Sequence, residues 1–263
     1  MEKNIKSKPI QLPMISVVTV VFNSASTIEK TIISIINQTY KNFEYIVIDG
    51  GSSDGTINVI NKYRDKINCI ISEKDEGISD AFNKGVRNSS GDWIIFINSG
   101  DTFIADSILD KVHSHLLQTD FDVIYGKINL VNTYNCTQLI CGKPFDRKTF
   151  LKRMNIPHQA TFHNKNLYLK YGFYSTDYRI AMDYDLLLRV KDLKVLFINE
   201  VISNMSAGGV SQIYPIKTFR EFTKAKLTNL KNKSHLMIKY EYCFMVMKQG
   251  LKQVMVCLKL IKG

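Results

Sequence analysis

GDWIIFINSGDTF, residues 91–103, is the stretch on which the fold turns. Trp93 to Ile97 is an unbroken apolar run with the length and composition of a strand buried on both faces, as central strands of a parallel sheet are. Asn98, Ser99, Gly100 and Asp101 follow at once. In open α/β sheets, ligands sit just outside the carboxyl ends of the strands, so Asp101 stands where a ligand or a cation would be met. Taken alone, the stretch is more simply a strand and a polar turn, with Asp101 capping the next segment. The rest of the chain reverses that preference.

Upstream, strand-like and helix-like patterns alternate. Ile15 to Phe22 (ISVVTVVF) is β-branched and apolar, a buried strand. Ser26-Thr27-Ile28-Glu29 reads as a capping box, with Ser26 as N-cap and Glu29 at N3, and Ile28, Ile32, Ile35 and Ile36 then form one helical face. Phe43 to Ile48 is the next strand, GGSSDGT a loop, and a helix runs from about Thr56 to Tyr63. A short strand, Cys69 to Ile71, and a short helix, Ile78 to Val86, lead to Trp93. This βαβα order predicts a parallel sheet covered by helices. After Asp101 the pattern loosens: Ser107 to Leu117 and Asp183 to Val190 read as helices and Val123 to Tyr125 as a strand. Asn129 to Lys143 is polar and loop-like, with room for short antiparallel strands.

Length and composition set the class. The 263 residues are 45% hydrophobic and 22% charged, ordinary for a globular protein with a real core. The first residues, MEKNIKSKPIQLPM, carry no apolar signal region, and no apolar run reaches membrane-spanning length. Five cysteines without metal-site spacing point to a reducing, cytoplasmic setting. The net charge of +11 is concentrated: after Glu221 there are nine lysines and one acid, Glu241. A nucleic-acid-binding domain would spread basic and aromatic residues over its body, so nucleic acid is not expected as a partner.

Phosphate loops of the GxGxxG and GxxxxGK[ST] kinds are missing. Instead, Asn23-Ser24-Ala25 follows the first strand, and Asp49-Gly50-Gly51-Ser52-Ser53-Asp54-Gly55-Thr56 follows the second. With SEKDEGISDAFNKG, GDWIIFINSGD and PHQATFHNKNLYLKYGFYSTDYRIAMDYDLLLRV, these segments resemble family-2 glycosyltransferases of the bacterial polysaccharide type. The likeness spans residues 14–211 in the family's order. It implies a GT-A-like α/β fold, a mostly parallel nucleotide-binding sheet flanked by helices, over 14–215. Residues 1–13 are then an N-terminal extension and 216–263 a basic amphipathic helical extension.

The resemblance also implies roles. Asn23, Asp49, Asp75, Asp80, Asn83 and Asn98 would bind the donor, with Asp49 at the base of a UDP-sugar. At Asp49 an Asx turn closing the strand is the alternative, and at Asp80 a charge favouring the helix dipole. Gly77 and Gly85 would allow close backbone approach or serve as caps. Asp101 matches the last carboxylate of the family's DxD motif and would hold a divalent metal, Mn or Mg, against the diphosphate. Asn98 and Gly100 stand where acids are common. Asp183 matches the acidic pair that carries the catalytic base, with Met182 in place of the usual first Glu; acids opening a helix are the alternative. His158 and Gln159 would contact donor or acceptor, and Gly208-Gly209-Val210-Ser211 would be a loop near the diphosphate.

From Leu236 to Lys262, apolar residues at Met237, Tyr240, Phe244, Met247, Leu251, Val254, Leu258 and Ile261 alternate in steps of three and four. Lysines flank them, which predicts a helix lying on an anionic membrane surface, at the inner face of the plasma membrane; packing on the domain or on a second subunit of a homo-oligomer is the alternative. The expected reaction is inverting transfer of a sugar from a nucleoside diphosphate sugar, UDP-linked by resemblance, to a hydroxyl of a lipid-linked or growing glycan. A catalytically dead sugar-nucleotide binder and a nucleotidyltransferase are the competing readings.

Overall fold

The computed structural model describes residues 12–132, 137–209, 213–231 and 234–261, with side chains up to residue 250. Outside it lie most of the N-terminal extension, Val210 and Ser211, and the stripe's side chains beyond Met247.

The predicted elements form, in order, β1 (Ile15–Val21), α1 (Ile28–Ile36), β2 (Phe43–Asp49), α2 (Thr56–Asn61), β3 (Cys69–Ser72), α3 (Ile78–Asn88) and β4 (Trp93–Phe96). There follow β5 (Thr102–Phe103), α4 (Ile108–Leu116), β6 (Val123–Asn132), β7 (Thr137–Cys141), α5 (Arg147–Phe150), β8 (Thr161–Asn164), α6 (Lys165–Tyr171), α7 (Met182–Leu188), β9 (Val195–Ser206), α8 (Pro215–Asn229) and α9 (His235–Ile261). One sheet runs β3-β2-β1-β4-β8-β6-β9-β5, with β7 paired to β6. Its first four strands are parallel. Beyond β4 the sheet is mixed: β8 is antiparallel to both β4 and β6, and β9 is parallel to β6.

The alternation of β1 shows why the sheet is covered twice. Ile15, Val17 and Val21 face a core shared with Ile32 of α1, Trp93, and Leu109 and Val112 of α4. Val18 and Val20 face the opposite core, with Phe82 of α3, Phe96, Tyr168 of α6 and Tyr184 of α7. Gly85 is required at this contact: a Cβ there would lie 2.5 Å from Val18 Cγ1, so α3 rests directly on β1.

Two sequence expectations change. Ser26 does not cap α1. Thr27 is the N-cap without a side-chain bond, and the Thr27 and Ile28 amides donate to the Ser24 carbonyl instead. The Glu29 carboxylate turns away to accept from Tyr63 Oη at 3.0 Å. The strand expected at Val123 to Tyr125, β6, runs on to Asn132, because the polar residues beyond Tyr125 satisfy one another in the sheet: Asn129 Nδ2 donates to Asn204 Oδ1 at 2.8 Å. The room left for short antiparallel strands in 129–143 is filled by the β6–β7 pair.

Candidate active site

The carboxyl ends of β1, β2 and β4 lie side by side, and the loops that leave them are tied together. Asn23, just after β1, is the one non-glycine residue at positive φ among those described (46°); short polar side chains tolerate that region. Its amide donates to Ser52 Oγ at 2.7 Å, and its Oδ1 accepts from the Ser53 amide at 3.0 Å. Asp49, the last residue of β2, is fully buried. Its carboxylate accepts from the Ser52 amide, Ser52 Oγ and Ser72 Oγ. The Asx-type turn considered for Asp49 is thus present.

Asp75 sits against the same turn. A Cβ on Gly50 would come within 2.4 Å of Asp75 Oδ2, so this loop needs glycine to leave the carboxylate its place. Asp75 Oδ1 accepts from the Gly77 amide, next to which α3 begins. Asp80 accepts from the Glu76 amide and pairs with Lys84 at 3.2 Å. Asn83 is 4% exposed. Its amide is engaged on both sides with the Tyr174 backbone, at 2.9 Å each way. It stitches α3 to the segment before α7.

The turn after β4 is different. The Asp101 amide closes onto the Asn98 carbonyl. The Asp101 carboxylate, in a residue only 7% exposed, accepts from the Ser206 amide at 3.1 Å, with the Gln159 side chain near enough to favour its charged form. Burial outweighs these bonds and the charge of Lys30, pushing its pKa up to about 6. Asn98 Oδ1 is buried with no hydrogen-bond partner, a costly condition for an amide oxygen. A desolvated carboxylate and an orphaned amide oxygen on one turn are hard ligands. They fit a divalent cation whose other ligands come from a diphosphate and water. Among the described residues, no group of three or more His, Cys, Asp or Glu side chains forms a metal cage on its own.

The His–Gln pair divides. Gln159 reaches Asp101, whereas His158 stacks on Phe96 (5.4 Å, 23°) and tilts against Phe82 and His163. Both of its ring nitrogens are buried without a partner, and burial lowers its pKa to about 4. His158 is therefore a neutral ring within the aromatic core.

The two acids that open α7 have different surroundings. Asp185, 4% exposed, accepts from Arg189 Nη2 at 2.6 Å and from Asn229 Nδ2 at 2.8 Å. Asp183 Oδ1 takes the Tyr184 amide at 2.7 Å, and burial pushes its pKa up to about 6. Its charge is felt by the hydrogen-bonded pair Tyr168–Tyr174 (2.8 Å), whose pKa values burial drives far upward. Tyr178 O and Met182 Sδ both meet Ser79 Oγ of α3, so the α7 end is docked on the half that carries Asp75 and Asp80. Long-range partners such as Ser206, Tyr174, Asn229 and Glu221 carried no local signal in the sequence.

The tail helix α9 packs on α8 through Ile238, which is buried, and through Glu241, which accepts from Lys226 Nζ at 2.9 Å. Lys226 is 1% exposed. Met237, Tyr240, Phe244 and Met247 all point outward. No described helix is long and apolar enough to cross a membrane.

Comparison with known proteins agrees with this architecture. The sequence model for "Glycosyl transferase family 2" matches residues 16–167. A "PGL/p-HBAD biosynthesis glycosyltransferase" of Mycobacterium tuberculosis is 28% identical over 215 residues, covering 79% of this chain and 82% of that protein. Another Mycobacterium tuberculosis glycosyltransferase is 31% identical over 180 residues, 67% of this chain and 68% of its own. Among solved structures, Staphylococcus aureus TarS 1–349 in complex with UDP superposes with a TM-score of 0.63 at 16% identity, over 89% of this chain and 70% of that one. The mannosyltransferase PcManGT of Pyrobaculum calidifontis, in complex with GDP-Man and Mn2+, gives 0.66 at 14% identity, over 98% and 83%. The fold is that of the GT-A glycosyltransferases, and the chain belongs to glycosyl transferase family 2.

Proposed function

We propose that this protein transfers a sugar, with inversion, from a nucleoside diphosphate sugar to an acceptor hydroxyl, and that Asp183 is its general base. The observation that carries the reading is the contrast within MDYD: Asp185 is bound up in a buried ion pair, while Asp183 is desolvated and poised near pH 6. A base with a pKa just below working pH is both ionised and reactive. Asp183 takes the proton of the acceptor hydroxyl as its oxygen bonds to the anomeric carbon. The bond from that carbon to the diphosphate breaks, and the nucleoside diphosphate leaves with the electron pair. Asp101 and Asn98 would hold a divalent cation, Mn or Mg, which when bound neutralises charge on the diphosphate. Asn23, Asp49, Asp75 and Asp80 form the donor wall, and Gln159 orients Asp101. UDP is favoured as carrier by the resemblance and by solved neighbours that bind UDP and UDP-GlcNAc; a neighbour that binds GDP-Man keeps GDP-sugars in the test.

A panel of UDP- and GDP-sugars, each with Mn2+, Mg2+ or chelator, tests this by thermal stabilisation and by donor hydrolysis. One UDP-sugar should stabilise the protein in a metal-dependent way and be slowly hydrolysed without acceptor. Stabilisation with no turnover of any donor would favour the dead binder.

The acceptor is then a lipid-linked or growing glycan at the cytoplasmic face of a membrane. The tail's one acid, Glu241, is turned inward onto Lys226, so Lys239 and Lys248 border the exposed face of Tyr240, Phe244 and Met247 without an opposing carboxylate. Such a face suits anionic lipid. Cosedimentation with phosphatidylglycerol vesicles should fall with salt and with the triple change Tyr240→Ser, Phe244→Ser, Met247→Ser. Undiminished pelleting of that variant would exclude the face as the anchor, and a monomer produced from an oligomer would identify it as a subunit contact.

A further inference from the structure

Three consecutive amides, those of Arg179, Ile180 and Ala181, donate to one carboxylate oxygen, Glu221 Oε2, at 3.0, 2.7 and 3.1 Å. Successive backbone N–H groups turned to one side form a concave nest for an anion. Bonds to an ionised acceptor are the strong ones. Ala181 is the N-cap of α7 and has no side-chain cap of its own, so the carboxylate that satisfies this turn comes from α8, 40 residues away from Ala181.

Asp183 is the second residue of α7. The same side of α8 holds the helix twice more. Asn229 donates to Asp185, and the Phe222 ring lies 5.0 Å from that of Tyr184. The backbone on both sides of Asp183 is thus fixed by one helix, whereas the Asp183 carboxylate itself is held by its neighbour's amide. Its position is set through the main chain, and the main chain is set by Glu221.

We propose that Glu221 is a positioning residue for glycosyl transfer: its carboxylate holds the 179–181 turn so that Asp183 meets the acceptor hydroxyl at reacting distance. The inference rests on the reading of Asp183 as the base. Misplacement of a reacting group by about 1 Å can cost on the order of 10²-fold in rate. Glu221 has no part in binding the nucleotide, so donor affinity should not follow the loss.

The test uses the full chain with the nucleotide sugar found in the panel above, UDP with Mn2+ as the binding probe, and hydrogen exchange of the 179–184 amides. Glu221→Ala should expose those amides to exchange and lower kcat by roughly 10²-fold, with UDP affinity unchanged. Glu221→Gln keeps an acceptor oxygen for the nest and should restore most of the rate. Wild-type kcat in Glu221→Ala, beside an inactive Asp183→Asn, would overturn this inference and leave the base assignment standing. Normal turnover by Asp183→Asn would remove both. Parallel loss of UDP binding and turnover in both Glu221 variants would mean a general structural role and overturn the proposal. If Glu221→Ala does not fold, Glu221→Asp, one methylene too short to hold all three amides, should lower kcat without weakening UDP binding; a wild-type rate there would overturn it equally.

Discussion

The two halves of the site treat their carboxylates in opposite ways. On the β1–β4 side, Asp49 is saturated by serines, Asp80 is paired with Lys84, and Asp54 is held below the usual carboxylate range by bonds from Thr56 and Ala25. Beyond Ile97, Asp101 and Asp183 are desolvated, and both are pushed up to about 6. Carboxylates of the first kind are tied into loop architecture. Those of the second kind are held at an energetic disadvantage that only a cation or a proton relieves, the condition expected of groups that do chemistry.

The largest effect that would sharpen this contrast is in rate. Asp183→Asn should lower turnover by ~10²–10⁴ with donor binding kept. Asp185→Asn, two residues on, should act on the fold instead, because it leaves Arg189 without its buried partner, at a cost of about 3–5 kcal/mol. Equal kinetic defects with equal stability in the two variants would break the distinction. Next in size, Asp49→Ala strands the Ser52 amide and two hydroxyls and should lower stability by about 1–3 kcal/mol, read by thermal denaturation.

An effect of similar size has the opposite sign. In chelator, the folded pKa of Asp101, about 6, lies above the ordinary value of 3.8. Its contribution to stability is therefore fully present below about pH 4 and lost as pH rises through about 6. Asp101→Asn removes that loss. It should be more stable than the wild type by about 1–3 kcal/mol at pH 7.5 and no more stable at pH 4. Destabilisation at pH 7.5 would place Asp101 with the architectural carboxylates.

The first half was legible because its inner strands β1 and β4 are buried along their whole length and its loops are short, so local pattern and tertiary position agree for every strand and helix from Ile15 to Phe96, the cap of α1 apart. The reading slipped where a partner came from far along the chain. Glu29 had the spacing of a capping box, but Tyr63 and Lys62 offered its carboxylate better company. Asn129 reads as loop until Asn204 is seen opposite it. His158 and Gln159 are adjacent in sequence and leave in different directions, one into the Phe82–Phe96 aromatic core and one to Asp101. Asp183 and Asp185 share a helix turn, and only Asn229 and Arg189 tell them apart.

The pH dependence of the single-turnover rate, with donor, Mn2+ and acceptor all saturating, tests the central claim most directly. With the diphosphate and cation in place Asp101 stays ionised, so the acid limb reports Asp183 alone. The rate should be level above pH 7 and fall about tenfold per unit below an apparent pKa near 6. A rate independent of pH from 5 to 8 would contradict Asp183 as a desolvated general base.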